Sequence, residues 1–220
     1  MINKRVLLLC GHYGSGKTNI AVNLAQQIKR EYPTVTLADL DIVNPYFRSK
    51  DSAPELEEAG IRLICSRYAN SNVDIPALPP DLYALTDDRQ MRAIIDVGGD
   101  DRGALVLGRL VPAILLENDY EMMMVINCYR PLTRDAASTL EVMREIETAG
   151  GIRFTALINN SNLGAETTAK DVLASMSYAE EVAAMSNLPL VMTTADVRLQ
   201  DELKDKIPNL FPLKLQKKIQ

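Results

Sequence analysis

Residues 11–18 read Gly-His-Tyr-Gly-Ser-Gly-Lys-Thr and satisfy the phosphate-binding pattern G-x-x-x-x-G-K-[ST] at every fixed position. The flanks suit it as well. An apolar run, residues 6–10, reads as a strand entering the loop, and residues 19–31 read as a helix leaving it. The spacing has a chemical reason. Gly11, Gly14 and Gly16 let successive backbone N–H groups curl around phosphate oxygens, a path that side chains would obstruct. Lys17 then reaches the β and γ phosphates, Thr18 offers a hydroxyl to Mg²⁺, and Ser15 and Asn19 complete the set of nucleotide contacts. The helix that opens at Thr18 directs its N-terminal dipole at the same anion.

A strand–loop–helix unit of this kind belongs to a wound parallel sheet, and the rest of the chain continues the alternation. Short apolar runs at 5–10, 34–38, 62–65, 93–97, 121–127, 154–159 and 190–193 predict about seven strands. Amphipathic stretches at 18–32, 53–59, 103–117, 133–149, 165–186 and 199–206 predict the crossover helices, several of them ended by Pro33, Gly60 or the Gly150-Gly151 pair. The expected fold is therefore a three-layer α/β/α sandwich around a mostly parallel central sheet, a P-loop NTPase. Its 220 residues form one nucleotide-binding domain. The proline-punctuated segment 70–92 reads as an edge crossover, and the lysine-bearing tail from Pro212 as a solvated end, too short for a membrane anchor.

Composition narrows the function classes. A net charge of −5 disfavours a dedicated nucleic-acid surface. Cys10, Cys65 and Cys128 are too few and too scattered for a disulfide framework or a C-x-x-C metal site. The apolar run after Lys4 and Arg5 is too short for a signal peptide, and no later run is long enough to span a membrane. The expectation is a cytoplasmic protein.

Further elements complete the site. Ala38-Asp39-Leu40-Asp41 places two carboxylates at i and i+2 where the second strand ends. One carboxylate would hold Mg²⁺ through water while the other orients the attacking water. The fourth strand ends at Asp96, followed by Val97-Gly98-Gly99. Asp96 is expected behind the metal, and Gly99 is expected to offer its N–H to the γ phosphate. Asn159-Asn160-Ser161-Asn162 follows the sixth strand, where guanine-selective members of this fold carry N-K-x-D. With Asn162 in place of the carboxylate, adenine is favoured, and Asn159 is expected at the base edge.

In these motifs the chain resembles the MinD/ParA-like ATPases, the CobQ/CobB/MinD/ParA nucleotide-binding group. The resemblance implies ATP and Mg²⁺ as cofactors, with Asp39 and Asp96 supporting the metal and Asp41 aligning the water, together with a homodimer and an unidentified protein partner or cargo released on hydrolysis. One position departs from it. The family's loop carries an extra lysine where this chain has His12, so either Arg48 supplies that charge across a dimer or no sandwich dimer forms. An alternative is an ATP-dependent small-molecule ligase or kinase of the dethiobiotin-synthetase-like type, with an acceptor held by Tyr46, Arg48, Arg130 and the 70–92 loop.

Overall fold

The computed structural model describes residues 3–40, 52–65, 80–98 and 107–215. Its centre is an eight-stranded sheet in the order β3-β2-β4-β1-β5-β6-β7-β8, every neighbouring pair parallel. The strands are β1 Val6–Cys10, β2 Val35–Asp39, β3 Arg62–Cys65, β4 Arg92–Asp96, β5 Tyr120–Ile126, β6 Ala156–Asn159, β7 Leu190–Asp196 and β8 Leu210–Leu213. The central strands are apolar at consecutive positions because both faces are covered. In β1, Val6, Leu8 and Cys10 enter one core cluster while Leu7 and Leu9 enter the other.

The second of these clusters takes Ile20, Ala21, Leu24 and Ala25 from α1 (Lys17–Lys29) and Leu56 from α2 (Ala53–Glu58). A short turn of helix, α3 (Ala84–Asp87), precedes β4. The opposite face is covered by α4 (Val111–Glu117), α5 (Ala136–Gly150) and α7 (Met176–Ser186), which contribute Ile114, Leu140, Met143 and Val182. The three-layer arrangement expected from the sequence is the one observed. Below the sheet, Arg5 is buried and forks onto the Glu117 carboxylate while donating to the carbonyl of Met91 at 3.1 Å.

The structure corrects two sequence expectations. Residues from Pro212 are not simply a solvated end, because Leu210–Leu213 add an eighth strand beside β7 and Leu213 is buried. Pro212 is tolerated because β8 is an edge strand, where a missing N–H costs no ladder bond on the outer side. The helix expected over 165–186 is broken into a 3-10 turn (Gly164–Glu166), α6 (Ala169–Ala174) and α7. Thr168 and Asp171 form a capping box that starts α6, and the Ser175 hydroxyl, bonded to Val172 O at 2.7 Å, marks the junction with α7. The last described helix is α8 (Gln200–Leu203). Among the described residues no helix is long and apolar enough to cross a membrane.

Candidate functional site

At the carboxyl edge of the sheet the order of connection reverses beside β1, since β2 and β4 lie to one side and β5 to the other. In open parallel sheets this is where a ligand crevice forms. The loop from Gly11 to Gly16 occupies that position, and a cavity of about 900 Å³ opens over it.

The loop's path depends on its glycines. Gly11 has φ 148°, and a Cβ there would lie 2.4 Å from the Val125 carbonyl oxygen of the neighbouring strand. Gly16 caps α1 at φ 90°, and a Cβ there would lie 2.2 Å from the Asn160 side-chain nitrogen. That nitrogen donates to the Ser15 carbonyl at 2.6 Å, while Asn160 Oδ1 accepts from Thr194 Oγ1 at 2.5 Å. The phosphate-loop backbone is thereby strapped to β7.

Lys17 folds back along the loop. Its Nζ donates to the carbonyls of Gly11 at 2.9 Å and His12 at 3.4 Å, and the residue is only 5 % exposed. No carboxylate pairs with it among the described residues. Buried charges are normally paired, so an ammonium held by carbonyls alone on a cavity wall suits an anionic ligand.

Thr18, the next residue, donates its hydroxyl to Asp96 Oδ2 at 2.7 Å. Asp96 is completely buried at the end of β4, and Asp39, also buried, is its direct partner across the β2–β4 ladder. A hydroxyl that gives its proton to a carboxylate keeps oxygen lone pairs for a cation. Mg²⁺ takes few protein oxygens and retains waters and phosphate oxygens, so one hydroxyl with two adjacent carboxylates fits it.

His12 lines the cavity with its Nδ1 donating to the Tyr13 carbonyl at 3.0 Å. Partial burial pulls its pKa down despite that bond, and the nearby Lys17 charge acts in the same direction, so the imidazole is neutral. Cys10 is buried, and desolvation pushes its thiol up to about 12, so in this packing it is a small apolar group.

Several sequence-stated residues meet at one place: Gly14, Gly16, Lys17, Thr18 and Asn19 line the cavity, with Gly11 and Ser15 behind them. Asp41, Gly99, Tyr46 and Arg48 lie outside the described residues. Asn159 is a correction. It is fully buried, with Nδ2 donating to Ser175 Oγ at 3.0 Å and Oδ1 accepting from Ser161 N at 3.1 Å, so its amide serves the α6–α7 junction and not a base edge. The neighbouring Asn160 and Asn162 reach the cavity instead.

Other contributors escaped the sequence reading of the site. Asn127, buried after β5, accepts from Tyr129 N at 3.0 Å and Asn162 N at 3.3 Å, joining two loops of the cavity. Asp196 lines the far wall, paired with Arg198 at 3.2 Å. Arg198 also donates to the Ala165 and Thr167 carbonyls, which fixes the wall between β6 and α6. The available signal was polar residues immediately after apolar runs, the positions that face a crevice in this architecture.

The sequence matches no protein-family model and no curated protein. The fold is similar to that of solved structures at low identity. The signal recognition particle receptor FtsY from Elizabethkingia anophelis in complex with GDP superimposes with a TM-score of 0.55 at 18% identity, over 91% of this chain and 60% of that one. FtsY from Thermotoga maritima gives 0.55 at 16% identity, over 87% and 62%. The signal recognition particle 54 kDa protein from Aeropyrum pernix K1 in complex with GDP gives 0.51 at 18%, over 86% and 41%. This chain thus spans about three-fifths or less of the length of these proteins, and the likeness is one of fold, a mostly parallel sheet covered by helices.

Proposed function

We propose that this protein binds and slowly hydrolyses a Mg²⁺-complexed nucleoside triphosphate, ATP, and works as a nucleotide-controlled switch of the MinD/ParA-like kind on a protein partner or cargo. The observation that carries the reading is Lys17, a buried ammonium with no carboxylate partner among the described residues, on the wall of a cavity at the end of β1. In this assignment the backbone of Gly11, Gly14, Ser15 and Gly16 cradles the phosphates and Asn19 extends the contact along α1.

Thr18 would hold the cation with its hydroxyl oriented by Asp96, and Asp39, beside Asp96 on the β2–β4 ladder, would support the metal. Bound Mg²⁺ supplies charge neutralisation at the phosphates. Asp41 is assigned to the attacking water and Gly99 to the γ phosphate on their sequence positions. A homodimer follows from the family resemblance, with the neutral His12 leaving the loop itself without a second cation.

The base is assigned as adenine because Asn162 stands where a guanine-reading carboxylate is expected, and its amide is spent on Asn160 O at 2.7 Å and Gly164 N at 3.1 Å. A second reading has its own observation. Asp196 puts a carboxylate on the cavity wall, and two of the similar structures hold GDP, so a guanine nucleotide is the competitor.

The experiment is a phosphate-release assay with ATP and GTP in competition, on wild type and Asp196→Asn. Preference for ATP that survives the substitution supports the adenine assignment. Preference for GTP that disappears with it replaces adenine by guanine. Absence of release from either nucleotide, under single-turnover conditions with Mg²⁺, overturns hydrolysis.

A further inference from the structure

The segment after β5 carries Tyr129-Arg130-Pro131 into the cavity region on a backbone fixed at several points. Arg130 N donates to Asn127 O at 3.1 Å, and the buried Thr133 hydroxyl donates to the same carbonyl at 2.7 Å. The Tyr129 hydroxyl donates to Asp171 O at 3.0 Å, anchoring the segment to α6.

From this support the Arg130 side chain crosses to the phosphate loop, where its Nε donates to the Gly14 carbonyl at 2.9 Å. It lines the same cavity as Lys17 and Thr18. Neither Nη group hydrogen-bonds or meets a carboxylate among the described residues. The cavity wall holds only two permanent cations among those residues, Lys17 and Arg130.

We infer that Arg130 is a phosphate-binding residue of this site, clamping the loop through Nε while its Nη edge contacts the terminal phosphates of the bound nucleotide. The inference rests on the nucleotide-binding reading proposed above. A guanidinium suits both tasks because its donors lie in one plane on a rigid fork, so one edge can hold a carbonyl while the other grips an oxyanion. The charge is needed as well. A triphosphate beside Asp39 and Asp96 exceeds what one Mg²⁺ and one ammonium neutralise.

The test is calorimetric titration of the full chain with MgATP at several salt concentrations, for wild type, Arg130→Gln, Arg130→Lys and Lys17→Ala. Glutamine keeps N–H donors for the Gly14 carbonyl but carries no charge. Arg130→Gln is expected to bind roughly ten-fold or more weakly and with reduced salt sensitivity, and Arg130→Lys to recover part of the loss. Unfolding midpoints check that each variant is folded.

An affinity for Arg130→Gln within about two-fold of wild type overturns the inference, since a charged contact contributes more than that. A weakened variant whose salt sensitivity is unchanged also overturns it, leaving Arg130 as a loop clamp only. If wild type binds and Lys17→Ala does not, the nucleotide reading stands whatever Arg130 does. A wild type that binds no triphosphate removes both.

Discussion

The Thr18 hydroxyl donates to Asp96 at 2.7 Å, joining the first turn of α1 to the end of β4 across 78 residues of sequence. That bond decides what each group can offer a cation. Thr18 presents lone pairs, and the Asp96 carboxyl accepts the hydroxyl proton behind them.

The two residues should therefore act as one unit. Thr18→Ala and Asp96→Asn are each expected to lower turnover by about a hundred-fold, with the double variant losing far less than the product. Phosphate release measured across a Mg²⁺ titration checks this. Multiplicative losses would mean that the pair is not coupled.

Gly16→Ala places a Cβ 2.2 Å from the Asn160 amide and a non-glycine residue at φ 90°. The expected cost is about 1–3 kcal/mol of stability from the backbone conformation, together with loss of the strap to Ser15. Urea unfolding measures the first. Adding Asn160→Ala removes the contact but leaves the backbone strain, so it should restore only part of the loss.

Much of this architecture was legible because its chemistry ties residue type to spacing. The strand, loop and helix around residues 11–18 could be read because that motif fixes its own flanks, and Asp96 could be placed at a strand end because the apolar run before it stops there. Which of Asn159 and Asn160 faces it could not be read, since successive residues at a strand end turn to opposite sides. The structure gives the cavity to Asn160 and the interior to Asn159. The break at Ser175 was hidden for a related reason: the hydroxyl's partner Asn159 is 16 residues away. β8 was missed because Leu-Phe-Pro-Leu is short and contains a proline that only an edge position accepts.

The buried Arg5–Glu117 pair predicts an acid limb in stability. The Arg5 guanidinium, through its hydrogen bonds, holds the Glu117 carboxyl below the usual carboxylate range. A depressed folded-state pKa means that the contribution is present above the unfolded value, about 4.3, and is lost as pH falls through the folded value. Glu117→Gln should flatten that limb and cost about 3 kcal/mol at neutral pH, by leaving a buried guanidinium unpaired. Chemical unfolding between roughly pH 3 and pH 7 checks both.

Lys17 and the loop around it are proposed to hold a polyphosphate. Calorimetry of the folded chain with Mg²⁺ and a purine nucleoside triphosphate tests this most directly. Wild type is expected to show a single saturable site, weakened roughly a hundred-fold or more in Lys17→Ala, whose unfolding midpoint does not fall because a buried ammonium with no carboxylate partner among the described residues has been removed. Equal binding by the two proteins, or no binding by well-folded wild type, would contradict it.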